Sequence, residues 1–369
     1  MKKALWITCG PRGNAGDGLL YDVTRALFAG KLDLDFRFVS EPHYLRPGDE
    51  GIENVMIGPG GLFVQTHSSK HLHEKLTKQW DLFQDKRFFL WSTGILETPT
   101  EAEVPLVRRV TDRADRIIVR ANREAEFIKE VAGVDSEWAP CASLFTDRLL
   151  GIEKKVKDVV VVNFDDFLFT EENIADHPLR RFLAYANAEG LEVRSMVNAA
   201  GDSNRMMLDL FPVIDADREP LRAYLAEEPP RRSPLRRIRN RLVGGGINEA
   251  IEAMPSFGER YTNARFAFGK RLHGWLPFMA FDQPAAFIGM HARRGMPRDY
   301  FGSNEFLCAV PRRRGIDREH LDAMANGMIG KLNFFIHNEE RLSAQIAARR
   351  EELWNQVQRQ SDEFVGAMR

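Results

Sequence analysis

The chain has 369 residues, of which 44% are hydrophobic and 28% are charged, and its formal net charge is −1. This composition is typical of a globular protein and excludes a disordered chain, and the length favours two domains over one. A net charge near zero provides no global field that would attract nucleic acid, so we expect no nucleic-acid partner.

Strands and helices alternate in the first half of the chain. Short apolar runs predict strands at residues 4–8, 35–39, 54–57, 88–91 and 116–119. Segments with helical periodicity follow at residues 17–29, 70–83, 104–114 and 123–131. Several of the strands end in glycine-rich turns. This alternation is typical of a doubly wound parallel sheet, and residues 1–150 are predicted to form an N-terminal Rossmann-like domain.

The same pattern starts again after a polar, lysine-rich linker at residues 151–157. A β-branched run at residues 158–162 is typical of a central strand in a parallel sheet. A helix is predicted at residues 171–188, and further strands at residues 191–197, 211–214, 265–268, 285–288 and 306–309. Residues 158–316 are predicted to form a second Rossmann-like domain. Residues 317–369 are predicted to form a helical tail that either packs back across the domains or serves as an interface.

The predicted fold class is therefore α/β, with two Rossmann-like doubly wound domains facing a cleft and a C-terminal helical tail. This layout is the one called GT-B. Ligands of such a protein bind in the cleft, at the carboxyl ends of the strands of both sheets. Residues that directly follow predicted strands are therefore the candidates for a functional site.

Cysteine usage and hydropathy favour a cytoplasmic location. Cys9, Cys141 and Cys308 are far apart and lack the spacing of a disulfide framework or a zinc site, which fits a reducing compartment. The apolar run at residues 4–9 is too short for a signal peptide, and no run approaches the ~18 apolar residues of a membrane span.

Glycine-rich turns follow two predicted strands of the N-terminal domain. In the first, Asn14, Gly16 and Asp17 open a helix whose amino end offers N–H groups to an anion, with Asp17 as a candidate N-cap. In the second, Gly60 and Gly61 follow a strand where the cleft would lie. The first turn alone is equally consistent with an ordinary helix start, and the second alone is more simply a tight turn.

Arginine and histidine residues follow other predicted strands. Arg120 could bind a carboxylate or phosphate bidentately, or form an ion pair with Glu124 or Glu126. Arg271 and His273 lie between a strand and a predicted apolar helix at residues 275–281. The two side chains and the dipole of that helix suit an anionic ligand, and the histidine suits acid catalysis. The alternative is a capping arginine and a packed histidine.

Other basic residues are weaker candidates. Arg293 follows the strand predicted at residues 285–288 and could reach the same pocket or only the surface. His67 and His71 have i, i+4 spacing but lack the HExxH pattern, so we predict no metal site. The arginine tract from Arg231 to Arg241 is most simply a solvated loop. Its functional alternative is contact with anionic lipid headgroups or the diphosphate of a lipid-linked sugar, worth roughly 1 kcal/mol per basic residue.

Taken in order, these motifs resemble those of the polysaccharide pyruvyl transferase family. The matching segments span roughly residues 8–300 and are Asn14-Ala15-Gly16-Asp17, Gly58-Pro59-Gly60-Gly61, Ser92-Thr93-Gly94, Val119-Arg120, Arg271-Leu272-His273 and residues 282–288. Asp282 stands where the family often has glycine, and Arg293 and Arg294 stand where it often has lysine.

The resemblance implies that the protein transfers an enolpyruvyl unit from phosphoenolpyruvate to a sugar hydroxyl and forms a pyruvate ketal. Arg271 and Arg120 would bind the donor's anionic groups, His273 would be the acid, and Asp17 or Asp282 could be the base. The acceptor would be a sugar or a lipid-linked oligosaccharide, with no further cofactor. The location would be cytoplasmic, with peripheral contact at the inner face of the membrane through the tract from Arg231 to Arg241.

Two other functions are compatible with the same architecture. A nucleotide-sugar glycosyltransferase would need a base-recognition pocket in the second domain, and the sequence shows no such pocket. A binding or scaffold protein would have retained the fold and lost catalysis, against which the retained Arg271 and His273 argue mildly.

Overall fold

The computed structural model describes residues 1–9, 14–61, 67–94, 101, 104–155, 157–164, 168–170, 173–198, 205–226, 259–289, 292–310 and 317–368. The arginine tract from Arg231 to Arg241 lies outside these ranges. Within them, no helix combines the length and the apolar character that crossing a membrane requires.

The N-terminal sheet has six parallel strands in the order β2-β1-β3-β4-β5-β6. Its strands are β1 (Lys2–Thr8), β2 (Leu32–Phe38), β3 (Asn54–Ile57), β4 (Arg87–Thr93), β5 (Ala114–Val119) and β6 (Glu137–Trp138). The helices of this half are α1 (Ala15–Phe28), α2 (His67–Lys78), α3 (Val104–Thr111), α4 (Asn122–Ala132) and α5 (Thr146–Leu150). The central strands are buried along their length because helices cover the faces of the sheet.

The C-terminal sheet has five parallel strands in the order β11-β10-β9-β7-β8. They are β7 (Val159–Asn163), β8 (Glu192–Ser195), β9 (Phe266–Gly269), β10 (Ala285–Gly289) and β11 (Leu307–Ala309). The accompanying helices are α6 (Leu179–Ala188), α7 (Arg205–Leu210), α8 (Asp215–Ala226), α9 (Glu259–Thr262), α10 (Leu276–Met279), α11 (Met296–Phe301) and α12 (Arg318–Ala367). Two parallel-sheet α/β units and a C-terminal helix confirm the predicted fold class. The boundaries at residues 150 and 317 remain predictions.

Each sheet reverses its strand order at one point. In the N-terminal sheet β1 lies between β2 and β3, and in the C-terminal sheet β7 lies between β8 and β9. The connections on either side of such a point run in opposite directions, which leaves a crevice at the carboxyl ends of the two central strands. The crevices therefore lie beside the turns after β1 and β3 in one sheet and after β7 and β9 in the other.

The carboxyl ends of the two sheets face each other. The amide N–H of Ala15, which follows β1, donates to the carbonyl of Asn198, which follows β8, at 2.7 Å. On the other side of the junction, the Tyr300 hydroxyl of α11 donates to the carbonyl of Arg120 at 2.8 Å and accepts from the amide of Cys141 at 2.9 Å. Burial raises the pKa of Tyr300 well above its usual value, so this hydroxyl stays a donor.

Helix α12 belongs to both halves of the molecule. Before a kink at Asn338, Phe335 packs against Phe266 and Phe268 of β9. After the kink, Phe364 packs against Trp91 of the N-terminal sheet, with ring centroids 5.1 Å apart. The predicted tail therefore packs back across the domains, and the apolar area that it buries holds the two sheets together.

Arg350 of α12 forms ion pairs with both the N-terminal and the C-terminal half of the molecule. Its side chain is buried and donates to Asp147 of α5 at 2.6 Å and to Asp282, which precedes β10, at 2.7 Å. It also donates to the carbonyl of Leu144 at 3.3 Å. One guanidinium thus connects α12 to a carboxylate of each half of the molecule.

Two predicted elements differ from the structure for local reasons. The helix predicted at residues 171–188 begins only at Leu179, because Pro178 fixes its φ angle and lacks the N–H that an interior helical position needs. The strand predicted at residues 211–214 is reduced to one bridge between Val213 and Ser195, because Pro212 can accept but cannot donate a ladder hydrogen bond. β6 is only two residues long, too short to show as an apolar run.

We expect Arg350→Ala to lower the free energy of unfolding by about 2–4 kcal/mol, since it leaves two carboxylates without their shared cation. Arg359→Ala on the same helix is the control. Arg359 is exposed and lies 4.0 Å from Glu363, so its loss should change stability by less than about 0.5 kcal/mol. Denaturant titration of both variants measures the difference, and equal effects would contradict the role assigned to Arg350.

Candidate functional site

Three of the predicted motifs lie in the two crevices, and a fourth follows another strand of the N-terminal sheet. The turn with Asn14, Gly16 and Asp17 follows β1, and the turn with Gly60 and Gly61 follows β3, on the two sides of the N-terminal switch point. Arg271 and His273 follow β9 at the C-terminal switch point, and Arg120 follows β5.

The amino end of α1 is closed by hydrogen bonds within the protein. The N-cap is Asn14, not Asp17 as predicted, and its side-chain oxygen accepts from the amide of Gly16 at 3.0 Å. The Asn14 carbonyl accepts from the amides of Asp17 and Gly18, and the Ala15 amide donates to Asn198. The first four amides of α1 therefore all have acceptors, so the expectation that this helix offers open N–H groups to an anion is wrong. Asp17 lies in the first turn.

Gly16 is in direct contact with His273 from the other sheet. A Cβ atom added at Gly16 would lie 2.7 Å from Nδ1 of His273 and 3.0 Å from its Cβ. Real Cβ atoms essentially never approach another heavy atom as closely as the first of these distances. The helix start therefore needs glycine at this position so that the imidazole can lie against its backbone. His273 is 8% exposed.

The turn that carries Arg271 and His273 is compact. A Cβ at Gly269 would lie 2.3 Å from the carbonyl carbon of Gly274, and one at Gly274 would lie 2.6 Å from Oδ1 of Asn163 at the end of β7. These close approaches bring residues 271–274 across the ends of β9 and β7. His273 is part of a three-residue 3₁₀ turn, Leu272–Gly274.

The apolar helix predicted at residues 275–281 is only α10, a single turn of four residues (Leu276–Met279). The macrodipole of an extended helix is therefore absent here, and the predicted dipole contribution at His273 is wrong. Charge at this site comes from side chains.

The backbone of His273 is held by residues that the sequence analysis did not identify. Its carbonyl accepts from Nδ2 of Asn198 at 3.2 Å and from the hydroxyl of Tyr261 at 3.1 Å. Asn198 in turn contacts a buried ion pair between Arg260 and Asp217, whose closest atoms are 2.6 Å apart. These residues are far apart in the sequence, and nothing in their local patterns indicates that they meet.

Lys270 is another residue that was not predicted from the sequence, although it directly precedes Arg271. Its side chain is 5% exposed. Burial, with a smaller contribution from the neighbouring Arg271 charge, lowers the pKa of Lys270 to about 8. Two adjacent cationic residues at the end of a central strand create a local positive potential that favours an anion.

The turn with Gly60 and Gly61 extends the strand ladder. Gly58 and Gly60 have φ angles of 116° and 132°, which L side chains rarely adopt. The Gly60 amide donates to the Ser92 carbonyl at 3.3 Å, and the Gly60 carbonyl accepts from Gly94 at 2.7 Å. The segment at residues 58–61 therefore packs beside residues 92–94, so two of the predicted motifs form one surface.

Arg120 is 2% exposed and packs on that surface. A Cβ at Gly94 would lie 1.9 Å from Nη2 of Arg120, so the guanidinium rests against the backbone of Gly94. Its Nε lies 3.7 Å from Oε1 of the buried Glu124, and its amide donates to Glu124 Oε2 at 3.1 Å. The ion pair considered as an alternative is therefore present. A ligand role for Arg120 remains a prediction.

The remaining candidates are not assembled with this group. Asp282 lies at the amino end of β10, and its carboxylate binds Arg350, so the structure does not bring it to the site as a base. Its φ angle of 57° is the left-handed conformation that glycine favours and Asp tolerates, consistent with glycine at this position in the family. The side chains of Arg293, His67 and His71 lie outside the described part of the structure.

The described residues thus combine an imidazole, an arginine and a buried lysine at the junction of two sheets. Cationic groups of this kind bind an anion, and an imidazole is a side chain that can act as a general acid or base. Among the described residues, no group of three or more His, Cys, Asp or Glu side chains is arranged to hold a metal ion.

The chain is similar to proteins of known structure at low identity. An uncharacterized protein from Klebsiella pneumoniae is 13% identical, with 84% of this chain and 93% of that chain covered and a TM-score of 0.46. MnaA from S. aureus, in a co-structure with UDP, is 9% identical, with 94% and 91% covered and a TM-score of 0.46. A UDP-GlcNAc 2-epimerase from Methanocaldococcus jannaschii is 9% identical, with 92% and 100% covered and a TM-score of 0.43. No curated protein matches the chain.

The family model described as polysaccharide pyruvyl transferase matches residues 14–289. The match covers most of the chain and extends from the N-cap of α1 to the end of β10. It therefore includes the turns of both sheets that meet at Gly16 and His273. The chain belongs to the polysaccharide pyruvyl transferase family.

Proposed function

We propose that the protein transfers a pyruvyl unit from phosphoenolpyruvate to two hydroxyls of one sugar in an exopolysaccharide or cell-surface glycan, forming a pyruvate ketal and releasing phosphate. The observation that carries this proposal is the contact between His273 and Gly16 within the span that matches the family model. It unites the motifs of both sheets around an imidazole and an arginine.

The donor carries a carboxylate and a phosphate, which need cationic partners in a site with little water. Arg271 binds one of these groups, and Lys270 beside it adds a second cation that is protonated below a pKa of about 8. Arg120 contributes from the N-terminal sheet if a ligand draws its guanidinium away from Glu124, to which it is bound only at 3.7 Å.

Acid catalysis by His273 starts the reaction. The imidazolium gives its proton to C3 of the enol, which becomes a methyl group, while C2 becomes electrophilic and forms a bond to the first sugar oxygen. The proton of that hydroxyl returns to His273, directly or through Asp17 in the first turn of α1, and restores the imidazolium. The charge that develops on the phosphate as the reaction proceeds is stabilised by Arg271.

Ketal closure then completes the reaction. The bond between C2 and the phosphate oxygen breaks, phosphate leaves with its electron pair, and the second sugar hydroxyl attacks C2. The proton of that hydroxyl leaves with the phosphate, so the two hydroxyl protons appear in the methyl group and in the released phosphate. The acceptor is a free or lipid-linked sugar, and the cytoplasmic side of the membrane supplies both substrates.

Binding and turnover separate the roles of Arg271 and His273. Saturating phosphoenolpyruvate should raise the melting temperature of the wild type, because ligand binding adds RT ln(1+[L]/Kd) to stability. We expect Arg271→Ala to abolish this shift. We expect His273→Ala to retain most of the shift and to release phosphate ~10²–10⁴-fold more slowly with p-nitrophenyl glycosides as acceptor probes.

Two outcomes would overturn the proposal. A wild-type protein that is stabilised by a nucleoside diphosphate sugar and not by phosphoenolpyruvate would be a glycosyltransferase. A His273→Ala variant with wild-type turnover would remove the acid role from this residue.

The contact between Gly16 and His273 provides a test that involves no catalytic side chain. Gly16→Ala should reduce turnover by about 10²-fold, because the added methyl group must displace the imidazole from its position. Gly330→Ala is the matched control, since Gly330 lies within α12 and an added Cβ meets nothing within 4 Å. It should leave turnover unchanged and raise stability by about 0.5–1 kcal/mol. Equal turnover of both variants would refute the assigned contact.

The lowered pKa of Lys270 predicts how donor binding depends on pH. A phosphate monoester is fully ionised above about pH 7, so changes at higher pH come from the protein. Lys270 loses its charge as the pH rises through about 8, and the affinity for phosphoenolpyruvate should fall there. Lys270→Met should bind more weakly at pH 7 and lose this pH dependence. Calorimetric Kd values between pH 7 and 9 measure both effects, and identical profiles for the two proteins would exclude Lys270 from the site.

A further inference from the structure

We infer that Asn198 is a positioning residue, which fixes the place of the His273 imidazole relative to the N-terminal sheet. We infer the same role for Tyr261. The inference rests on the proposed function of His273 as the acid. It starts from three hydrogen bonds that Asn198 makes at once, to His273, to Arg260 and to Ala15.

The orientation of His273 depends on its carbonyl contacts because the residue lies in neither a strand nor an extended helix. The residue lies in a three-residue 3₁₀ turn that leads into a helix of one turn. Its carbonyl accepts from Asn198 Nδ2 at 3.2 Å and from the Tyr261 hydroxyl at 3.1 Å. Both bonds are buried. A buried carbonyl without a donor is costly, so these two donors select one position of the turn.

Asn198 is itself held in one conformation by a buried ion pair. Arg260 donates to Oδ1 of Asn198 at 3.3 Å and to the carbonyl of Val197 at 2.7 Å. Asp217 binds Arg260 through both oxygens, at 2.6 and 3.1 Å, and accepts from the amide of Val197 at 3.1 Å. Both charged side chains are fully buried.

A fully buried ion pair contributes little net stability compared with apolar residues of similar size, because both ions lose their hydration. Here the pair makes three bonds to the Val197–Asn198 segment. Its effect is therefore to specify the position of that segment, and with it the side chain that donates to His273.

The backbone of Asn198 reaches the other sheet. Its carbonyl accepts from the amide of Ala15 at 2.7 Å, one residue before Gly16. Asn198 thus binds His273 through its side chain and the residue before Gly16 through its backbone. A change in the Asn198 side chain should therefore move the imidazole relative to the cleft while Arg271 still binds the donor.

Three variants test this inference. Asn198→Asp retains the size of the side chain and can still bind Arg260, but its carboxylate cannot donate to the His273 carbonyl. Asn198→Ala removes both bonds. Tyr261→Phe removes only the hydroxyl, which burial keeps protonated by raising the pKa of Tyr261 to about 12.

We expect each variant to lower kcat about 10-fold or more, with the Kd of phosphoenolpyruvate changed less than about 3-fold, because misplacing a reacting group slows the chemical step. Asn198→Asp should be as slow as Asn198→Ala even though it melts at a higher temperature. The combination of Tyr261→Phe with Asn198→Ala should be slower than the product of the two single effects, since only the double variant leaves the carbonyl without a donor.

Tyr185→Phe is the control, since the Tyr185 hydroxyl binds Asn333 at the surface. It should leave kcat unchanged. Wild-type kcat in Asn198→Asp would overturn the inference, because a purely structural residue would be satisfied by the bond to Arg260. Equal losses of donor affinity and kcat would also overturn it.

A measurement without substrate keeps the inference separate from the proposed reaction. The protein has nine histidines, and ¹³C labelling of their rings gives an NMR signal for His273 that the His273→Gln variant assigns. Tyr261→Phe and Asn198→Asp should shift or broaden this signal, and Tyr185→Phe should not. An unchanged signal would refute the inference. A changed signal in a protein that does not turn over phosphoenolpyruvate would retain the positioning role and reject the proposed function.

Discussion

The contact between Gly16 and His273 is the constraint on which the arrangement of this molecule depends. Two parallel sheets face each other at their carboxyl ends, and the absence of a side chain at position 16 lets an imidazole from one sheet touch the first helical turn of the other. Such an approach requires the sheets to be held at one separation. The bonds from Ala15 to Asn198 and from Tyr300 to Arg120 hold that separation on either side of the contact.

Helix α12 provides apolar contacts to both of the sheets that meet at this junction. Its first part completes the core of the C-terminal sheet through Phe335, and its last part completes the core of the N-terminal sheet through Phe364. Burying a phenylalanine contributes about 1.5–3 kcal/mol. Arg350 adds a charged connection between the two halves. Because the hydrophobic contacts of α12 hold the two sheets together, the polar contacts near the site can fix its geometry.

The fold class, and the position of the candidate motifs at the ends of strands, could be predicted from the sequence because both follow from short-range patterns. Apolar runs such as residues 158–162 mark central strands, and motifs that directly follow strands lie at the carboxyl edge of a parallel sheet. Asn198, Tyr261, Arg260 and Asp217 could not be predicted, since they meet His273 only through tertiary folding. The acceptor for the first amide of α1 could not be predicted either, because the Asn198 carbonyl that binds Ala15 comes from the other half of the molecule. The predicted length of α10 was too great because apolar residues continue on both sides of its single turn.

The distance along the chain between Phe364 and the face that it covers has a consequence for biosynthesis. The N-terminal sheet emerges from the ribosome before α12, and domains generally fold as they emerge. The aromatic face formed by Phe28, Phe89 and Trp91 is completed by Phe364 of α12. Until α12 has been synthesised, this face lacks its partner and is open to solvent or to a chaperone. A nonsense mutation that removes only the last turns of α12 would therefore expose an early-synthesised face of the N-terminal sheet.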